Sequence, residues 1–145
     1  MQQSKSSPMS TPTPPAGPSL EHHETFVIVA ETLAGWRNPA TPEGAELLAQ
    51  HYAWAHGQHA SGALLFAGPI DVEALAPGAQ TPVGQVSGLL VVRADSKAAA
   101  EAIAQSDPFH RHGCRHNAVH SWSIRFAQQS IADALAAALN APEAP

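Results

Sequence analysis

Residues 86–109 read VSGLLVVRADSKAAAEAIAQSDPF, and within this short stretch one periodicity gives way to another. Val86 to Ala94 carries apolar side chains at odd and even positions alike, the mark of a strand covered on both faces. Asp95 or Ser96 then supplies an N-cap, and an alanine-rich helix runs to Gln105 or Ser106. Asp107-Pro108 stops it, because the residue before a proline is disfavoured in the helical region.

The flanking segments extend this pattern. Upstream, Glu24 to Leu33 contains Thr25-Phe-Val-Ile-Val-Ala30, β-branched and aromatic on both faces, which predicts another two-sided strand. A connection through Trp36, Arg37, Asn38 and Pro39 leads to Thr41-Pro42, an N-cap and first-turn pair for a helix that Gly62 ends from the C′ position. Leu48, Tyr52, Ala55 and His59 share one face of that helix, with Leu47 and His51 beside them at helical spacing. Residues 63–68 form a second two-sided strand, and a loop rich in Pro, Gly and Ala leads back to Val86. Downstream, a strand is predicted over 115–126. Its even positions, His116, Ala118, His120, Trp122, Ile124 and Phe126, place two histidines on the side of the large apolar residues. Residues 130–139 read as a short helix by their Ala and Leu content.

The predicted order is strand, helix, strand, strand, helix, strand, an α+β class chain with the ferredoxin-like βαββαβ arrangement. Two helices cover one face of a four-stranded sheet, yet three strands are apolar on both faces. A second subunit is therefore expected on the other face, making a homodimer.

Composition narrows the functional classes. The chain has 145 residues, seven Lys and Arg against twelve Asp and Glu, and a net charge of −5. That balance offers no electrostatic footprint for nucleic acid or an anionic membrane. Cys114 is the only cysteine, so an intrachain disulfide is ruled out. Residues 1–20 hold five prolines and five serines with few apolar side chains, a composition that predicts a disordered tail. No apolar run has the length of a secretory signal core or a membrane span, and the chain reads as soluble and cytoplasmic. The expected organisation is a tail over 1–20, one domain over 21–126, and a C-terminal helix and tail over 127–145.

The pieces that carry chemistry are His51, the run Gly62-Ala-Leu-Leu-Phe-Ala-Gly-Pro69, and Ser106-Asp107-Pro108-Phe109 with Gly113 after it. Together with His59, Gly88-Leu-Leu-Val-Val92 and Ala94-Asp95-Ser96, in this order and spacing, they resemble the YciI-like (YCII-related) proteins over residues 24–126. The resemblance implies a dimeric α/β barrel in which two ferredoxin-like sheets face each other. It also implies that His51 and Asp107 meet in a pocket, with relatives acting on small ring compounds. An arginine is usual three residues before the histidine; Leu48 stands there instead, which puts an anionic substrate group in doubt at that place.

A carboxylate that accepts one ring N–H fixes the imidazole tautomer and leaves the other nitrogen to move a substrate proton. His51 and Asp107 are accordingly the candidate catalytic pair, and the bland alternative is a satisfied histidine on a helix seam beside an Asp-Pro turn. A carboxylate in the last turn of a helix is also opposed by the macrodipole, by roughly 0.3 to 1 kcal/mol, so a compensating partner is expected. Gly68, Pro69, Phe109, His120 and Trp122 are candidate substrate-binding residues. The set His110, His112, Cys114 and His116 matches no established metal-ligand spacing, and no metal or cofactor is assigned. Cys114 has no legible base and orienter and is read as non-catalytic. The leading expectation is an enzyme of isomerase or lyase type that moves a proton on, or eliminates from, a small cyclic or aromatic-derived molecule. A non-catalytic barrel holding a small ligand and a metal-assisted enzyme built on the histidines are the alternatives.

Overall fold

A computed structural model describes residues 25–75 and 83–140. The tail expected over 1–20 lies outside the described residues. The elements are β1 (Thr25–Thr32), α1 (Pro42–Ala60), β2 (Leu64–Pro69), a 3-10 turn (Val72–Leu75), β3 (Val86–Arg93), α2 (Lys97–Ser106), the single turn α3 (Pro108–Arg111), β4 (Arg115–Ser121) and α4 (Gln129–Asn140).

Local chemistry sets most of these boundaries. Thr41 Oγ1 accepts from the Gly44 amide at 3.1 Å and Pro42 follows as the first helical residue, so α1 starts where its cap dictates. Gly62 stands after the Ser61 cap at φ +84°, a left-handed conformation that glycine adopts without a Cβ clash. Gly44 has a different reason to be glycine: a Cβ there would sit 1.9 Å from the Asn38 carbonyl oxygen. The loop before α1 is thus pressed against its first turn. Ser96 caps α2 by accepting from the Ala99 amide.

The four strands form one antiparallel sheet in the order β2-β3-β1-β4. With α1 and α2 as crossovers this is the ferredoxin-like α+β fold expected above. Register fixes the faces. Phe26, Ile28 and Ala30 oppose Val92, Leu90 and Gly88 on β3, and Ile28 and Ala30 oppose Val119 and Asn117 on β4. Phe26, Ile28, Leu64, Leu90 and Val92 pack with Ala100 and Ala104 of α2, and Trp54 and Ala55 of α1 close over them. Fully burying a side chain such as Ile28 is worth roughly 1.5–3 kcal/mol, so this layer holds the helices to the sheet. A smaller cluster of Leu47, Phe109 and Cys114 ties α1 to α3.

The other face presents Val27 and Val29 on β1, Leu89 and Val91 on β3 and Phe66 on β2. Leu89 and Phe66 remain exposed in the single chain. At one end of this face Arg93 donates from its guanidinium to the carbonyls of Ala138 and Leu139, which brings the last turn of α4 to the sheet and complements its negative dipole end.

Two expectations for the last strand need correction. The strand ends at Ser121 rather than at residue 126, and its odd positions, not its even ones, face the helices: Asn117 and Val119 oppose Ala30 and Ile28, whereas His120 opposes Val27 and His116 opposes Glu31. The weight of Trp122, Ile124 and Phe126 had set the parity, but these residues lie beyond the last ladder pair and do not obey a period of two. Among the described residues no helix is long and apolar enough to cross a membrane.

Candidate active site

α1 and α3 are brought together by Leu47 against Phe109, and this contact aims His51, one turn further along α1, at the junction between α2 and α3. Asp107 occupies that junction. It is the C-cap of α2 and at the same time the N-cap of α3, where its carboxylate accepts from the Phe109 amide at 3.1 Å. The unfavourable end of one helix dipole is thereby offset by the favourable start of the next helical turn, which the sequence reading had not anticipated.

His51 Nδ1 lies 2.7 Å from Asp107 Oδ1. Asp107 Oδ2 accepts from Asn117 Nδ2 at 2.9 Å, and the same amide nitrogen donates to the Ala104 carbonyl at 3.0 Å. Three donors thus converge on a carboxylate that is 1% exposed. Burial alone would raise the Asp107 pKa. The hydrogen bond and charge attraction of His51, with the Asn117 and Phe109 donors, outweigh it and hold the carboxyl below its ordinary value of 3.8. An ionised carboxylate accepts only, so the hydrogen in the short contact belongs to Nδ1 of His51. Neutral His51 then carries its lone pair on Nε2, for which no described residue supplies a hydrogen-bond partner.

The imidazole plane is fixed as firmly as its tautomer. Phe109 stacks on it with ring centroids 4.5 Å apart and planes 29° apart, and Trp54 lies 5.7 Å away. Trp54 is itself held by donation from Nε1 to Ser106 Oγ at 2.8 Å.

His51 borders a cavity of about 700 Å³ between α1 and the β2–β3 edge of the sheet. The helix contributes Leu48, Tyr52, Ala55 and His59, the face singled out in the sequence, together with His56, and the sheet contributes Leu64, Ala67 to Pro69 and Ser87 to Leu90. Gly68, Pro69 and Phe109 line this space. His120 and Trp122 do not: His120 opposes Val27 on the far face of the sheet and Trp122 follows the strand end, partly exposed.

Two site residues were missed in the sequence. Asn117 stood on the wrong side of the mis-phased strand, and Arg115, which lines the cavity, stood there with it. The signal that finds both is the pairing of β4 with β1, since Ala30 leaves room opposite Asn117 in the helix-facing layer. The rings of His110 and His116 approach to 5.9 Å between centroids. His110 Nδ1 accepts from the Asn117 amide at 3.2 Å, while His112 and His116 are exposed. Among the described residues no group of three or more His, Cys, Asp or Glu is gathered to hold a metal. Cys114 is fully buried, and burial pushes its thiol above the ordinary value despite the pull of Arg37 and Arg115.

A family model of the YCII-related domain matches residues 15–123. No curated protein matches the chain. Among solved structures, 5-chloro-2-hydroxyhydroquinone dehydrochlorinase from Burkholderia phenoliruptrix, in complex with 2,5-dihydroxybenzoquinone, is similar at 20% identity with a TM-score of 0.46. The match covers 68% of this chain and 92% of that one.

The buried carboxylate makes stability depend on acid in a defined sense. Because the folded-state pKa of Asp107 is below the ordinary 3.8, its contribution is complete above that value and lost as pH falls through the folded pKa. Urea unfolding across the acid range is expected to show this loss in the native chain and a shallower slope in Asp107→Asn, which should also be about 2 kcal/mol less stable at neutral pH. An unchanged acid slope in the variant would show that Asp107 is not the titrating group.

Proposed function

The chain belongs to the YCII-related family, and from that premise we propose that it is a small-molecule enzyme of isomerase or lyase type, acting as a homodimer on a small cyclic or aromatic-derived compound. The observation that carries the reading is the 2.7 Å contact that commits Nδ1 of His51 to Asp107 and leaves Nε2 without a partner at the cavity.

In this reading Nε2 of His51 takes a proton from a carbon or hydroxyl of the substrate. The electron pair left behind forms a new double bond, either shifting an existing one or expelling a leaving group, and the proton returns from Nε2 to a second substrate atom or to the departing group. Asp107 touches no substrate. It holds the tautomer and stabilises the imidazolium formed in the middle of the cycle, and a general acid–base of this kind contributes roughly 10² to 10⁴ in rate. Phe109 and Trp54 keep the ring from turning, and Gly68 and Pro69 form part of the wall against which a flat molecule lies. The chemistry written in this way calls for no cofactor.

The assay that fits an unidentified substrate is magnetic resonance in deuterium oxide on a panel of cyclic enones, unsaturated lactones and substituted hydroquinones, following deuterium uptake, bond migration or release of a leaving group. Whichever class the native protein turns over, His51→Gln is expected to lose at least about a hundredfold in rate, and Asp107→Asn to lose less. A folded His51→Gln variant with the native rate would end the acid–base reading.

The dimer is supported by the part of the apolar face that α1 and α2 leave open where Phe66 and Leu89 are 47% and 38% exposed. Sedimentation at micromolar concentration is expected to give about twice the chain mass of 15.1 kDa, and charged substitution of Phe66 should shift the protein toward monomer. A native protein that sediments as a monomer would contradict the paired sheets.

A further inference from the structure

We infer that Arg115 is an anion-recognising residue of the cavity, and that the molecule it selects is planar and carries an ionised oxygen, whether phenolate, enolate or carboxylate. This rests on reading the cavity as the substrate site and goes on to name the charge of what enters it.

Arg115 is the first residue of β4 and opposes Thr32 on the helix-facing side of the sheet. Its guanidinium lies over two aromatic rings, 4.5 Å from the Phe109 centroid and 5.0 Å from that of Trp36. These faces hold the planar group by cation–π attraction but use none of its hydrogens. Its Nε is buried and has no hydrogen-bond partner, and among the described residues no carboxylate stands within ion-pair distance of it. Asp107 attracts it from further away, yet both Asp107 oxygens are already occupied by His51, Phe109 and Asn117.

The surroundings point the same way. The chain as a whole is acidic, with twelve Asp and Glu against seven Lys and Arg, but among the described residues no Asp or Glu lines the cavity, which instead holds Arg115 and three histidines. Burial presses the Arg115 pKa below its ordinary value, the sign of a cation that lacks adequate solvation. A partly desolvated guanidinium with free donors is costly unless a counter-charge meets it, and its fork matches an oxygen anion with two accepting lone pairs. The Arg115 guanidinium and the His51 ring each lie 4.5 Å from the Phe109 centroid, and both residues line the one cavity.

The test is calorimetric titration with two pairs of probes of matched shape: 4-nitrobenzoate against 4-nitrobenzamide, and 2,4-dinitrophenolate against 2,4-dinitroaniline. The native protein is expected to bind the anion of at least one pair roughly tenfold to a hundredfold more tightly than its neutral counterpart, and the pair that responds distinguishes carboxylate from phenolate recognition. Arg115→Gln should erase that preference, and Arg115→Lys, which keeps the charge but loses the fork, should retain only part of it. His51→Gln should keep the preference, so anion recognition is separable from turnover. Equal binding of anion and neutral probe in both pairs, no binding of any probe, or a native preference in folded Arg115→Gln or Arg115→Lys would overturn the inference.

Discussion

A carboxylate sealed inside an α+β domain must find donors, and the arrangement around Asp107 follows from that need. Each hydrogen bond to a charged group is worth roughly 1.5–3 kcal/mol, and an unpaired buried charge costs more than one such bond returns. Asp107 therefore requires α1 to present His51, α3 to present the Phe109 amide and β4 to present Asn117. One side chain thus ties together two helices and a strand that are far apart in sequence. The same bonds keep Asp107 ionised, and an ionised Asp107 dictates the tautomer of His51. Structural stability and chemical readiness are here consequences of a single set of donors.

The cavity beside this cluster combines rigidity with an unusual charge. Phe109 serves three purposes at once: its amide donates to the Asp107 carboxylate, one contact of its ring is the His51 imidazole, and another is the Arg115 guanidinium. The imidazole and the guanidinium are thus both held against one aromatic side chain.

Much of this was legible in the sequence, for identifiable reasons. The two-sided runs in β1 and β3, the Thr41-Pro42 start, Gly62 and Ser96 are local signals, and each acts in the structure as its chemistry requires. The approach of His51 to Asp107 followed from the resemblance and from two helices sharing one side of a sheet. What escaped was non-local. Asn117 and Arg115 depended on the phase of β4, and within Arg115–Ser121 only Val119 and Ala118 compete as apolar markers, so Trp122 and Phe126 beyond the strand decided the phase wrongly. The second role of Asp107 as cap of α3 was hidden because four residues are too few to show helical periodicity. The docking of α4 through Arg93 to its terminal carbonyls is likewise a contact between distant segments that no local pattern announces.

Asp107, held ionised by its three donors, commits the proton of neutral His51 to Nδ1 and leaves Nε2 without a described partner. Long-range nitrogen–proton correlation spectra of the histidine side chains report that tautomer directly, with His51 assigned by comparison to His51→Gln. Neutral His51 is expected to give the pattern of an Nδ1-protonated ring, with Asn117→Ala weakening this preference and Asp107→Ala abolishing it. A neutral His51 protonated on Nε2 in the native protein, the form most free histidines favour, would contradict it.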